Sequence, residues 1–352
     1  MENMEMKNKA AYCTGLEQME VGEAPMPLCR DKDVLIEVAY CGVCGSDAHW
    51  YANGESGFED VYPYILGHEF AGTVIRIGKD VKNLSVGDRV TVEAGIACGQ
   101  CKWCKEGKYN LCPSIRFLSA PREQGAMRRY VAHPADLCFK LPDQVSLRSG
   151  ALIEPFVVGL HAVETAGVTP DKTVVIFGAG CIGLVVLLAA RLYNASRVIT
   201  VDIIDKKLET AKRLGADEVI NSRSQDVVER VMELTGGMGA DIVFEASGTS
   251  ACTAMAPKLT MRGGVITLIG CTHGETPFEF YQIIEKEISI KPIFRYRNNY
   301  PTAVKALAEG KVNLEQLVTK EFPLEQAKEA FDAALHDNQN NIKVMVKMEQ
   351  SI

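Results

Sequence analysis

No uninterrupted apolar run in this 352-residue chain is long enough to span a bilayer, so no membrane-spanning helix is expected. Positive charge is not in excess. Lys and Arg number 38 against 45 Asp and Glu, a net charge of −7, and a nucleic-acid partner would want a basic face. Internal repeats, low-complexity runs and linker-like stretches are missing. Met1–Lys9 is polar and charged and lacks the apolar stretch of a secretion signal. Without such a signal, twelve cysteines point to metal binding or buried thiols rather than disulfides, and to a reducing cytoplasm. The length exceeds one ordinary core and predicts two domains. These exclusions leave a soluble enzyme that handles small polar molecules.

The chain is organised around residues 173–202. Thr173–Phe177 is β-branched and apolar, as a buried parallel strand should be. Gly178-Ala179-Gly180-Cys181-Ile182-Gly183 then reads G-x-G-x-x-G, and the apolar run Leu184–Leu192 follows it. Arg197–Val201 is a second strand closed by Asp202, nineteen residues past Gly183. In a dinucleotide site Gly178 makes the tight turn, Gly180 lets the backbone approach a pyrophosphate, and Gly183 lets helix and strand pack closely. The helix N-terminus offers N–H groups to the phosphates, and Asp202 is spaced to take ribose hydroxyls. Further strands are predicted at Glu218–Asn221, Ala240–Glu245, Gly264–Gly270 and Ile288–Phe294. Helices are predicted at Lys206–Leu214, Gln225–Leu234 and Ala251–Leu259, the last interrupted near Pro257. This alternation describes a doubly wound parallel sheet of the Rossmann type, an α/β fold.

Ahead of it lie strand-like segments at Ala10–Tyr12, Val34–Tyr40, Phe70–Ile77, Asp88–Glu93, Arg129–Ala132 and Cys138–Leu141. Between them sit three chemical segments. Cys44-Gly45-Ser46-Asp47-Ala48-His49 crowds a thiol, a hydroxyl, a carboxylate and an imidazole into a turn before a helix. Its ordinary reading is a helix start capped by Ser46 or Asp47, which still leaves Cys44 free as a ligand. Gly67-His68-Glu69 is either a polar strand start or a pair of metal ligands. Cys98-x2-Cys101-x2-Cys104-x7-Cys112 is the most specific pattern, since four thiols this close can hold one tetrahedral ion. Lys102, Lys105 and Lys108 would partly balance their charge. Iron–sulfur ligation is the rival reading, but its final spacer is three residues and not seven, so a closed structural zinc is favoured. Glu154, in Ala151-Leu152-Ile153-Glu154-Pro155, is a lone acid at an apolar helix start. It is either a first-turn carboxylate favoured by the helix dipole or a metal ligand or neighbour. The C-terminal part, with helices at Tyr300–Leu307 and Leu324–Leu335 and a strand at Ile342–Lys347, returns to complete the first domain.

Taken together, Gly42-Val43-Cys44-Gly45-Ser46-Asp47, Gly67-His68-Glu69, the four-cysteine lobe and the nucleotide fingerprint resemble the zinc-dependent medium-chain dehydrogenases. The segments Ala151–Pro155 and Phe294-Arg295-Tyr296 resemble the sorbitol (L-iditol)/polyol branch of that family, and the likeness runs end to end. It implies a mainly β, GroES-like catalytic domain of residues 1–155 and 295–352, and an NAD-binding Rossmann domain of residues 156–294, with the active site in the cleft between them. It implies a catalytic zinc on Cys44, His68 and Glu69, with Glu154 as ligand or acceptor beside it, and a structural zinc on Cys98, Cys101, Cys104 and Cys112. Cofactor contacts would come from Gly178, Gly180, Ile182, Gly183, Asp202, Lys207, Ile269 and Phe294, and substrate contacts from Trp50, Glu154, Arg295 and Tyr296. One departure stands out: Trp50-Tyr51 replaces the Tyr-Trp of the mammalian enzymes, which puts fine substrate specificity in question.

The activity so implied is transfer of hydride from a secondary hydroxyl of a polyol to NAD, with zinc as the Lewis acid that makes the hydroxyl acidic enough. Ser46 and His49 are candidates to relay the proton outward. The alternatives are a related alcohol, butanediol or threonine dehydrogenase, and a non-enzymatic zinc- and nucleotide-binding protein. The resemblance also implies two zinc ions per subunit and a homotetramer.

Overall fold

The structure is a computed structural model that describes residues 7–54, 59–120, 122–272 and 274–350. Most of the N-terminal segment read as lacking a secretion signal therefore lies outside the described residues. The chain divides into two compact units, one of Met1–Glu154 with Tyr300–Ile352 and the other of Pro155–Asn299.

In the second unit, strand–helix alternation builds a six-stranded parallel sheet. Its strands run, in spatial order, Glu218–Asn221, Arg197–Asp202, Thr173–Phe177, Ala240–Glu245, Thr260–Leu268 and Ser289–Pro292. In chain order this is 3-2-1-4-5-6, so the direction of strand addition reverses beside Thr173–Phe177, where doubly wound sheets bind ligands. The central strands are buried on both faces, with Val175, Val243 and Ile266 in one core cluster with Val227, Val231 and Leu259 from the covering helices. Two helices carry side-chain caps: Asp226 accepts from the Glu229 amide at 3.0 Å and Thr249 from the Cys252 amide at 3.4 Å.

Some expectations shift here. Helix Ser250–Leu259 runs through Pro257 without interruption. Pro257 sits in the last turn and is itself buried, so its packing offsets the one backbone bond it cannot make. The last strand is shorter than read from sequence, Ser289–Pro292, which leaves Phe294 outside the sheet. The chain also stays with this unit through Asn299, whose amide donates to Glu164 at 2.8 Å, rather than leaving at residue 295.

The first unit holds a seven-stranded sheet. Asp33–Gly42 is its hub. It pairs antiparallel with Glu69–Ile77 along its length, with Tyr130–Pro134 over its first half, and with the C-terminal strand Lys343–Lys347 at its end. Burial of nearly every residue on Asp33–Gly42 explains why it reads as a continuous apolar run. The short pair Gly95–Ile96 and Arg116–Phe117 closes the excursion that contains the four-cysteine lobe. Asn8–Gly15 pairs with Gln18–Ala24 and Tyr64–Ile65 in a separate small sheet.

Candidate functional site

The end of Asp33–Gly42 and the start of Glu69–Ile77 lie side by side, with Gly42 opposite Glu69 in register. Cys44 follows the first strand and His68 precedes the second. Helix Gly45–Asn53 begins after Cys44, which occupies the N-cap position with no side-chain capping bond. Neither Ser46 nor Asp47 is the cap expected from sequence. Ser46 Oγ instead donates to Cys44 Sγ at 3.3 Å, while Asp47 turns inward and is buried. Two glycines make room. A Cβ on Gly42 would come 2.1 Å from Glu69 Oε2, and one on Gly67 would come 2.6 Å from Cys41 Sγ. Gly67 also has φ +98°, a conformation that favours glycine.

Cys44, His68 and Glu69 each offer a donor atom, and these atoms lie within 4.8 Å of one another. One sulfur, one nitrogen and one oxygen match the three protein ligands of a catalytic zinc site. Buried partners orient them. His68 Nδ1 lies 3.3 Å from Asp47 Oδ1, which leaves Nε2 for a metal. Asp47 accepts from Ser119 Oγ at 2.5 Å, and Ser119 Oγ accepts from the Gly67 amide at 2.9 Å. Burial alone would pull the imidazole pKa down, but Asp47 and the Cys44 sulfur outweigh it and hold it well above the ordinary histidine value. Lys343 Nζ donates to both Glu69 oxygens, at 2.7 and 2.8 Å, and to Val43 O at 3.1 Å. Ser119 and Lys343 were not found from sequence. Each is brought in by a contact between distant segments, and the only local signal is a lysine opening an apolar strand.

Glu154 lies in the first turn of helix Ile153–Ala166 and is buried, but it does not join the group of three. It acts on Glu93, a second buried acid. Burial pushes the Glu93 carboxyl up to about 7, a hydrogen bond with Tyr109 opposes this, and Glu154 adds to it. Ser46 and His49 are both exposed, and His49 Nδ1 lies 3.2 Å from Asn53 Nδ2. Trp50 packs, half-buried, on the core of its unit, while Tyr51 is wholly buried with its hydroxyl donating to Asp332 at 2.8 Å.

The four sulfurs of Cys98, Cys101, Cys104 and Cys112 also lie within 4.8 Å of one another. Cys101 and Cys104 are 3.4 Å apart, and the Cys98 amide donates to Cys112 Sγ at 3.4 Å. Amides of Gln100 and Cys101 pull the Cys98 thiol down to about 6, whereas desolvation and the neighbouring Cys101 thiol push Cys104 up to about 12. Cys98 thus gives up its proton more readily than Cys104, and a metal held by all four would need every one as thiolate. The charge expected of Lys102 and Lys108 is partly spent on Glu106, at 4.0 and 3.0 Å.

In the sheet unit, Gly178 has φ +94°, and a Cβ on Gly183 would come 1.7 Å from Gly178 O. Around Gly180 a Cβ would meet nothing within 4 Å, so the loop presents bare backbone to open space. Helix Cys181–Leu192 starts there, with Ile182 in its first turn. Asp202 is pinned by three backbone amides. Its carboxylate accepts from Ala179 at 2.6 Å, Ile203 at 2.7 Å and Ile204 at 3.0 Å. Burial pulls the Lys207 ammonium down while Asp202 opposes this. Ile269 follows strand Thr260–Leu268 and donates its amide to Glu245 O at 2.9 Å. Phe294 is exposed, with the Arg295 guanidinium 4.7 Å from its ring centroid, and Tyr296 is buried. Arg295 has φ +55°.

Residues 30–143 match the family described as alcohol dehydrogenase GroES-like domain, and residues 181–309 the family described as zinc-binding dehydrogenase. The chain is 40% identical to sorbitol dehydrogenase of Bacillus subtilis over 96% of each chain. It is 38% identical to L-idonate 5-dehydrogenase of Vitis vinifera, over 97% of this chain and 95% of the other. The chain belongs to the zinc-dependent medium-chain dehydrogenases. Within them it falls in the branch that holds the sorbitol dehydrogenases. A solved structure of an Escherichia coli oxidoreductase/dehydrogenase of unknown specificity shares the fold at TM-score 0.96 and 38% identity, covering 98% of this chain and all of the other. The enzyme is an oxidoreductase whose sheet unit is a Rossmann domain and whose other unit is GroES-like. Its cofactors are zinc and a nicotinamide dinucleotide. Among the described residues no helix is long and apolar enough to cross a membrane.

Proposed function

We propose that this enzyme oxidises a secondary hydroxyl of a polyol of the sorbitol, xylitol or L-iditol type to a ketose, with NAD as hydride acceptor. The observation that carries the reading is the clustered sulfur, nitrogen and oxygen donor set of half-buried Cys44 and buried His68 and Glu69. The names of the sorbitol dehydrogenase and L-idonate 5-dehydrogenase relatives support a polyhydroxylated substrate. Cys44, His68 and Glu69 would hold the zinc, which would supply Lewis acidity to the substrate hydroxyl, and a bound nicotinamide would serve as hydride acceptor. The protein's own part is positional. Asp47 and Ser119 fix the imidazole, and Lys343 fixes the carboxylate. Ser46 and His49, exposed near Cys44 in sequence, carry the proton outward. Glu154 stands near the metal as a further acceptor, and Trp50, Arg295 and Tyr296 contact the polyol.

A second zinc on Cys98, Cys101, Cys104 and Cys112 is supported by their mutual distances, within 4.8 Å. NAD over NADP is supported by Asp202, whose charge would repel a 2′-phosphate. Ile182, Lys207, Ile269 and Phe294 complete the proposed cofactor contacts. A cytoplasmic location is supported by twelve free cysteines. A homotetramer is supported by exposed apolar residues near the edge strand Ser289–Pro292, with Phe280 72%, Tyr281 76% and Ile284 71% exposed.

The test is an absorbance assay of reduced cofactor with sorbitol, xylitol, 2,3-butanediol, threonine and 2-propanol, each with NAD and NADP. Catalytic efficiency should be highest for a polyol with NAD. A preference for threonine or the short diol moves the enzyme to a sister activity. Equal efficiency with both cofactors shows that Asp202 does not face the ribose.

A further inference from the structure

One cavity of the GroES-like unit belongs to none of the sites above. It measures about 380 Å³ and is lined by Arg30, Arg116, Arg122 and Arg128, with Asp33 and Glu123 as the acids facing it. Such a concentration of guanidinium is unexpected on a chain of net charge −7. The acids are already engaged: Glu123 pairs with Arg116 at 3.4 Å, and Asp33 accepts from the Arg30 amide at 3.2 Å. Arg122 lies 3.7 Å from Asp60. The guanidiniums of Arg30 and Arg128 have no carboxylate partner among the described residues. Arg128 is the more telling, because its Nε is wholly buried and has no protein hydrogen-bond partner. Burial pulls this guanidinium down to about 10, with Tyr12 opposing, so it is held at a cost that an anion would repay.

The floor of the cavity carries a second unpaired group. His133 is 1% exposed, and its Nε2 lies 2.9 Å from Glu93 O. Its Nδ1 is buried without a partner. Burial pushes the ring down to about 4, the Glu93 carbonyl opposes this and Arg116 adds to it, so the imidazole is neutral. With Nε2–H donating to the carbonyl, Nδ1 is an acceptor. The cavity thus asks for a molecule that is anionic and also bears a hydroxyl. A carboxylate carries one charge and two oxygens. A phosphate monoester or hydrogen phosphate carries more of both, and suits two or more forked donors.

We propose that this cavity is a second ligand site, for a small phosphorylated metabolite, with Arg30 and Arg128 on the phosphate oxygens and His133 Nδ1 accepting from a hydroxyl. The site stands whichever alcohol the enzyme oxidises. Its position also links it to the metal ligands. The segment that supplies Gln124 and Arg128 is bonded to residues 65–67: the Gly125, Ala126 and Met127 amides donate to Ile65, Gly67 and Leu66 carbonyls at 2.6, 2.7 and 2.9 Å. Occupancy would steady the segment that leads to His68.

The test uses the full-length zinc-loaded enzyme with saturating NADH, which fills the glycine-rich loop so that phosphate cannot report from there. Inorganic phosphate is titrated at constant ionic strength, following Tm and amide hydrogen exchange. A saturable rise in Tm is expected, with added protection at Gly125–Met127. Sulfate, which bears no hydroxyl, should bind more weakly. Arg128→Gln should weaken the phosphate response about tenfold or more. Arg30 is exposed, so Arg30→Gln folds in any case, and it should show a loss of the same order. No saturable response, protection gained elsewhere, or an undiminished response in Arg30→Gln overturns the proposal. So does an Arg30→Gln enzyme that changes oligomeric state on size exclusion when the wild type shows no phosphate response, which would assign the arginines to a subunit contact.

Discussion

Lys343 and Glu69 stand 274 residues apart in sequence, yet they form a wholly buried ion pair at the candidate metal site. A buried pair of this kind is costly to break, because removing one charge strands the other in low dielectric. Replacing Lys343 with Met should therefore destabilise metal-free protein by about 3–5 kcal/mol. With zinc present, the Glu69 carboxylate would face a dication, and the loss should shrink. Denaturant unfolding of wild type and Lys343→Met, each with and without chelator, measures the difference. The four-cysteine metal is stripped equally in both proteins and cancels from the comparison. Equal losses in the two states would show that Glu69 does not approach the metal. The ligand residues themselves were legible because thiol, imidazole and carboxylate cluster within short segments. Their partners were not. Asp47 reads locally as a helix cap, and only the fold turns it toward His68.

The four-cysteine lobe is an element with almost no core of its own. It contains a four-residue helix, Lys102–Lys105, and the short turn Tyr109–Leu111, with Trp103 40% and Leu111 42% exposed. So little apolar burial cannot hold a loop closed, and a metal bound by four thiolates would do so instead. Cys101→Ser should lower zinc from about two equivalents to about one and should speed proteolysis within the lobe. Metal analysis and limited digestion check both. Substantial iron with visible absorbance would replace the zinc reading with an iron–sulfur one. The same dependence on burial explains which elements could be read in advance. Thr173–Phe177, Glu218–Asn221 and Ala240–Glu245 were placed to the residue, since turn glycines or polar residues bound their apolar runs. Gln18–Ala24, Val318–Pro323 and helix Phe280–Glu285 were missed. Each is largely exposed, so burial imposes no apolar period on its sequence.

For the whole molecule, the open question is what distinguishes a polyol enzyme from one for simple alcohols. A polyol brings several hydroxyls out of water, and each must find a partner or its desolvation opposes binding. Arg295 is suited to this, as its rigid fork can donate to two oxygens at once. It belongs to the sheet unit, whereas the metal ligands belong to the GroES-like unit. Its backbone, with φ +55°, sits in the left-handed region, which non-glycine residues occupy mainly where the surroundings hold them. The ordinary reading is an arginine stacked on Phe294 for packing alone. The two readings part on substrate. If Arg295 binds distal hydroxyls, Arg295→Ala should cut kcat/KM for sorbitol or xylitol about 10- to 100-fold, the worth of one charged hydrogen bond. Zinc content and NAD affinity should stay near wild type. Turnover of 2-propanol should change little, because that substrate has no distal hydroxyl to hold. Steady-state kinetics on both substrates, with metal analysis of the same preparation, decides between them. Equal losses on the two alcohols would mean that Arg295 supports the fold or the cofactor, and an unchanged polyol efficiency would remove it from the substrate site.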